Sequence, residues 1–210
     1  MQIANTSLNN NYQYKKGFGA KQIDTLNLLK KMDNDVYTPI KATFSELSIN
    51  NKNDIKFMSK LKEKWDGQTQ FGNRIFRHFL NKAEDSRFFV TEVIENGKKR
   101  VTNLMEIEPP KPKDYGNVTQ LKYIQSAPDI ANKTSRSPIK GSGETAIYEL
   151  VKMSEKENRD GIYLTSAADR FYEKLGFDDM GSCDDERTFR LGSNKFKSFL
   201  DKIAQKYNLR

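Results

Sequence analysis

Gly141-Ser142-Gly143 and Tyr172 are the residues of this chain whose types and spacing suit chemistry. The Gly-Ser-Gly turn opens a run with Ala146, Ile147 and Leu150 at helical spacing. The first N–H groups of a helix lack intrahelical acceptors and lie at the positive end of its dipole. The turn of Ser142, Gly143 and Glu144 is therefore an anion site, and the glycines let a ligand approach the backbone closely. Further along, Tyr172 lies in Phe171-Tyr172-Glu173-Lys174-Leu175-Gly176-Phe177, one turn before a Gly-Phe stop. A phenol can donate a proton to an anion of comparable basicity, such as a departing thiolate.

Other chemistries lack the residues they need. His78 is the only histidine, so multi-histidine zinc sites are excluded, and no elbow motif surrounds any serine to make a triad with it. The single cysteine, Cys183, excludes an internal disulfide framework; beside Asp184 and Asp185 its thiolate is disfavoured by like charge. Both residues read as packing or surface positions. The net charge of +8 is scattered along the chain and reads as a solvated basic surface. Attraction to a polyanionic cofactor, an acidic acceptor or nucleic acid is the alternative, although no nucleic-acid module accompanies the charge. No apolar run approaches the roughly 20 residues of a membrane span. The N-terminus lacks the features of a secretory signal, and a cytoplasmic protein is expected.

These residues need elements to position them. Residues 1–36 read as a flexible polar arm, whose Tyr12, Tyr14 and Phe18 can pin it to the domain surface. Within the arm, Ile23, Leu26, Leu28, Leu29 and Met32 suggest a short helix or extended connector. The domain is expected over 37–210. Its first strand falls at 43–49, and Asn53-Asp54 caps a helix carrying Ile55, Met58, Leu61 and Trp65. A second helix over 70–82 has Phe71, Ile75, Phe76, Phe79 and Leu80 at three- and four-residue intervals; this stripe and Trp65 read as core. Asn96-Gly97 joins strands at 87–94 and 99–107 as a hairpin, and Pro109-Pro110-Lys111-Pro112 forces an extended loop. A buried strand at 120–125, a polar loop at 132–138, a helix at 143–157, a strand at 162–165, a helix at 167–175 and a strand at 187–191 follow. A terminal helix over 194–207, capped by Ser193 or Asn194, places Phe196, Phe199, Leu200, Ile203 and Tyr207 on one face. This order suits one mixed-sheet α/β domain.

The glycine turn, the late tyrosine and the element order together resemble the Gcn5-related N-acetyltransferase (GNAT) superfamily, most strongly over 121–177 and more weakly over 43–108. The resemblance implies a single mixed, splayed β-sheet flanked by helices, the acyl-CoA N-acyltransferase fold. It implies acetyl-CoA as co-substrate, with its pyrophosphate on the turn of Gly141, Ser142, Gly143 and Glu144. In the family pattern Arg/Gln-x-x-Gly-x-Gly/Ala, Gly141 and Gly143 match and Pro138 replaces the first residue, so Arg136 and Lys140 are the neighbouring charges. Backbone groups of Ile124, Gln125 and Ser126 would hold the acyl group and pantetheine arm, and Thr165 stands where an asparagine often caps the strand. The resemblance makes Tyr172 the general acid for the departing thiolate. The strand that often bears the family's base carries Gln120 and Lys122 here, so Glu106 and Glu108 on the preceding strand are the candidate bases, with Glu92 a poorer one. No metal is implied. The acceptor would be an amine on a small molecule or protein, and the chain a monomer or homodimer. The alternatives are a catalytically silent binding module of this fold and a basic nucleic-acid-associated protein.

Overall fold

A computed structural model describes residues 20–32, 36–110, 116–131, 138–183 and 186–209 of the chain. In chain order the elements are β1 (Lys21–Lys31), β2 (Tyr37–Leu47), α1 (Lys52–Trp65), α2 (Gln70–Leu80), β3 (Arg87–Glu95), β4 (Lys98–Glu108) and β5 (Val118–Ser126). They continue with α3 (Pro128–Ala131), β6 (Ile139–Lys140), α4 (Ser142–Lys156), β7 (Gly161–Ser166), α5 (Asp169–Leu175), β8 (Asp178–Cys183), β9 (Glu186–Gly192) and α6 (Phe196–Tyr207). Among the described residues, no helix is long and apolar enough to cross a membrane.

Local chemistry explains most of these elements. Asn96 and Gly97 both take positive φ, 50° and 72°, and close the β3–β4 hairpin as the two residues between Glu95 and Lys98. That conformation matches the twist of the flanking strands. Asn51 rather than Asn53 caps α1: its side chain accepts from the amides of Asn53 (2.8 Å) and Asp54 (3.3 Å), while Asp54 accepts from Ser48 N at 2.9 Å. Gly176, at φ 92°, ends α5 in the left-handed conformation. A 3-10 turn over Ser193–Lys195 precedes α6, so the α-helix itself begins later than its expected cap.

The strands form one mixed sheet in the order β6-β1-β2-β3-β4-β5-β7-β9-β8, with β5 and β7 parallel and the other neighbours antiparallel. Helices bury a separate apolar cluster on each face. Met58, Leu61 and Trp65 of α1 and Ile75, Phe76 and Phe79 of α2 pack with Phe88, Val90 and Leu104. Across the sheet, Ile147, Leu150 and Val151 of α4 and Phe196, Phe199 and Ile203 of α6 pack with Phe44, Met105 and Phe189. Trp65 and most of the 70–82 stripe are core, as their spacing implies.

Two edges depart from the sequence reading. Residues 21–31, assigned to the arm as a short helix or connector, form β1 and pair along β2 from Lys21↔Glu46 to Lys31↔Tyr37. Leu26 and Leu28 are buried and Asn27 donates to the carbonyls of Tyr207 (3.1 Å) and Asn208, which tethers the strand to the end of α6. At the opposite edge the polar segment Asp178–Cys183 forms β8 on β9. The remaining arm (residues 1–19), the polar loop at 132–137 with Arg136, and the Cys183 side chain lie outside the described residues.

Candidate active site

β5 and β7 pair from Val118↔Gly161 only as far as Leu121↔Leu164. Beyond that point β5 follows β4 to Ser126, whereas β7 follows β9 to Ser166. The parallel neighbours therefore part, and the half-buried end of β5 (Ile124, Gln125 and Ser126) faces an opening instead of a strand. A cavity of about 170 Å³ occupies this opening, with Phe71 of α2, Ile124, Gln125, Thr165, Phe171 and Tyr172 in its wall. Ala167, Ala168 and Phe171 also line an adjoining groove of about 860 Å³ that reaches Glu144, Arg170 and Lys174.

The start of α4 borders the same opening. Gly141 is its N-cap at φ 92°, and a Cβ there would fall 2.3 Å from the Tyr207 ring, so both conformation and space require glycine. Gly143 has an ordinary helical φ, and its missing Cβ points between Phe171 (3.4 Å to Cζ) and Ser126 (3.9 Å to Oγ). Ser142 Oγ is buried and has no hydrogen-bond partner. An orphaned hydroxyl, free amides and a glycine-made gap on one turn fit a phosphate-bearing ligand. Glu144 is drawn onto α6, where Tyr207 Oη (2.8 Å) and Lys206 Nζ (2.6 Å) both donate to it. Burial, and then the hydrogen bond to Glu144, push the Tyr207 phenol far above its ordinary pKa.

Lys140 lies elsewhere. It belongs to β6, which pairs with β1, and its ammonium sits 4.0 Å above the Tyr37 ring. The cations that do line the groove are Arg170, Lys174 and Arg187, of which Arg187 is paired with Glu173, Asp169 and Asp179.

Tyr172 is 6% exposed and packs against Phe171, Phe177 and Phe189. Desolvation by this aromatic setting raises its pKa well beyond the ordinary phenol value, so the hydroxyl keeps its proton. Thr165 pairs with Thr188 of β9 and shares the cavity wall.

The two carboxylates expected to act as bases are held beneath α2. Glu106 is fully buried; it accepts from His78 Nδ1 (2.9 Å) and Ser86 Oγ (2.8 Å) and lies 3.7 Å from Lys122 Nζ. Glu108 is ion-paired with Lys122. Burial opposes the Lys122 charge, but Glu108 and Glu106 outweigh it and hold the ammonium pKa above its usual value. Neither carboxylate lines the cavity. Glu92 is farther away, against Lys99 in a separate cleft beside α1. His78, which the sequence leaves as a packing or surface position, instead closes a chain to the cavity. Its ring contacts Tyr123 at 5.6 Å, and Tyr123 stacks on Phe71 at 5.8 Å; both of these residues line the cavity wall. With Glu106 accepting as a carboxylate, His78 Nδ1 is the donor in this pairing. The local sequence holds no signal for this network, because His78 meets Glu106 only when α2 docks on β4.

No protein-family model matches the sequence, and no curated protein matches it. Solved structures do. AtaTR bound with AcCoA superposes with a TM-score of 0.54 over 75% of this chain and 96% of that one, at 12% identity. An acetyltransferase of the GNAT family from Listeria monocytogenes gives 0.50 over 73% and 95%, at 14% identity. Apo FdhC, described as a nucleotide-linked sugar GNAT, gives 0.50 over 80% and 93%, at 9% identity. At such identities the likeness is one of fold. The chain has the GNAT acyl-CoA N-acyltransferase fold: a mixed open sheet, parted between β5 and β7, with helices on both faces.

Proposed function

We propose that this protein is an N-acetyltransferase that moves an acetyl group from acetyl-CoA directly to an amine. The observation that carries the proposal is the parting of β5 from β7 beside the α4 turn, with Tyr172 in the wall of the resulting cavity. In this reading the free amides of Ser142, Gly143 and Glu144 take the pyrophosphate, with Ser142 Oγ as a further donor. Arg170 and Lys174 supply the cationic rim in place of the absent Arg or Gln of the family pattern. The pantetheine arm passes the gap left by Gly143, and the exposed amides at the end of β5 hold the thioester carbonyl and steady its oxyanion.

The amine nitrogen attacks the carbonyl carbon; the new C–N bond forms as the C–S bond breaks. The phenol of Tyr172, kept protonated by burial, gives its proton to the leaving thiolate. The amine's proton passes through water to His78, which stands behind Tyr123 in the cavity wall and is held by Glu106. Glu106 is then a positioning residue and not the base. Metal is not required for any of these steps.

The test is thiol release from acetyl-CoA across a panel of small amines, peptide N-termini and lysine peptides. Amine-dependent release supports the reading. Binding of coenzyme A without release for any acceptor class would leave a ligand-binding module of this fold, and no coenzyme A binding would overturn the reading outright.

A further inference from the structure

Lys56, Lys60 and Lys64 lie on one face of α1 at successive i, i+4 steps. Like charges at that spacing destabilise a helix. All three are exposed, and no carboxylate among the described residues pairs with them. They border a cleft of about 590 Å³ between α1 and the outer end of the β3–β4 hairpin; there Lys99 is paired with Glu92, and Arg100 with Glu95 and with Asp129 of the cleft wall, so the α1 lysines carry its excess positive charge. The volume lies within the range of roughly 300–1,000 Å³ that small-molecule sites occupy.

The floor of this cleft is a different chemistry. Half-buried Phe57 and buried Leu61, Trp65, Val101 and Ala127 make an apolar surface. Set into it is Glu92, 5% exposed, whose Oε2 accepts from Lys99 at 3.1 Å and whose buried Oε1 has no donor. A buried carboxylate oxygen without a donor is costly, and a ligand N–H or O–H would satisfy it. None of the residues lining this cleft lines the cavity or groove proposed for acetyl-CoA.

We infer that the α1 cleft is a second binding site, for a nucleotide unit. Its phosphate lies along the row Lys56, Lys60 and Lys64, its planar body rests on the apolar floor around Phe57, and a neutral donor reaches Glu92. A bare anion would leave the floor and Glu92 unused. An apolar ligand would leave the lysine row uncompensated. Free nucleotides and RNA strands share this chemistry. The site does not depend on acetyl transfer.

The experiment uses the full chain with coenzyme A at saturation, so that the α4 turn is occupied before any other phosphate is offered. The probes are adenosine 5′-monophosphate, adenosine, and a short single-stranded RNA. Adenosine 5′-monophosphate should still bind, and adenosine should bind at least about tenfold more weakly, since it lacks the phosphate that the lysines hold. The triple variant Lys56→Gln, Lys60→Gln, Lys64→Gln should lose affinity by tenfold or more while coenzyme A raises its thermal stability as in the parent. If the natural source is a strand, RNA binds the parent more tightly than the mononucleotide. The triple variant then flattens the slope of log affinity against log salt by about 2, at roughly 0.7 per phosphate contact. If it is a free nucleotide, RNA shows no such advantage. The assignment is overturned if coenzyme A displaces every probe, if the triple variant binds them as the parent does, or if nothing binds.

Discussion

Gly143→Val separates cofactor binding from folding, because the side chain would enter space that the protein itself does not use. The glycine has helical backbone angles, and its added Cβ would lie 3.4 Å from Phe171 Cζ, an ordinary van der Waals distance. The added β-carbon therefore needs no backbone change, and valine in place of a helical glycine is worth about a few tenths of a kcal/mol in its favour. The γ-methyls, however, fill the gap between Phe171 and Ser126 at the mouth of the parted strands. Coenzyme A at 100 times its dissociation constant stabilises a protein by about 2.7 kcal/mol. For a chain of this length each kcal/mol moves the melting temperature by about 2–4 °C, so the parent should gain about 5–10 °C. In a thermal-shift titration the variant should melt within a few degrees of the unliganded parent and gain nothing from coenzyme A. A variant that folds and shows the parent's full shift would refute the placement of the cofactor at this turn.

The remaining expectations concern protons. Tyr172→Phe keeps the aromatic packing and removes the donor; coenzyme A binding should persist while the chemical step, followed by single-turnover thiol release, slows by roughly 10²–10⁴-fold. An unchanged rate would make this tyrosine core packing only. His78→Gln should slow the same step by about 10²-fold or more, whereas Glu106→Gln, which leaves the histidine in place, should slow it less. An unchanged rate in His78→Gln would exclude the histidine as proton acceptor. Glu149, almost fully buried on α4, has its carboxyl pushed up to about 7 by burial, then further by Asp24 and against the pull of Lys152. With the folded value raised, its contribution to stability is complete below the unfolded value near 4.5 and is lost as pH rises through about 7. Glu149→Gln should therefore gain on the parent from pH 5 to pH 8, by on the order of 3 kcal/mol at most, in urea titrations at each pH. Parallel stability curves for the two proteins would show that Glu149 titrates normally.

Much of the scaffold is legible one segment at a time. Asn96-Gly97 names its hairpin because few residues tolerate two successive positive φ values, and α2 and α6 name their buried faces through apolar spacing. The glycine turn announces α4, since Gly141 accepts a left-handed φ that other residues resist. β1 is different: Leu26 and Leu28 alternate correctly, but only pairing with β2 and the Asn27 contacts with α6 distinguish a strand from a connector. β8 has almost no apolar content and exists because β9 offers it hydrogen-bond partners.

For the site, the line between sequence and structure follows the range of the interactions. The amide donors of the α4 turn and the late tyrosine are local properties, set by backbone preference and helix polarity, and the sequence by itself determines them. Which strands part, whether Phe171 faces Gly143, and that Lys140 lies on Tyr37 while Arg170 and Lys174 reach the groove depend on where separate elements dock. Glu106 reads in the sequence as one more strand carboxylate. Only the tertiary structure buries it under His78 and Ser86, because hydrogen bonds between residues distant in the chain exist only after the helices have packed on the sheet.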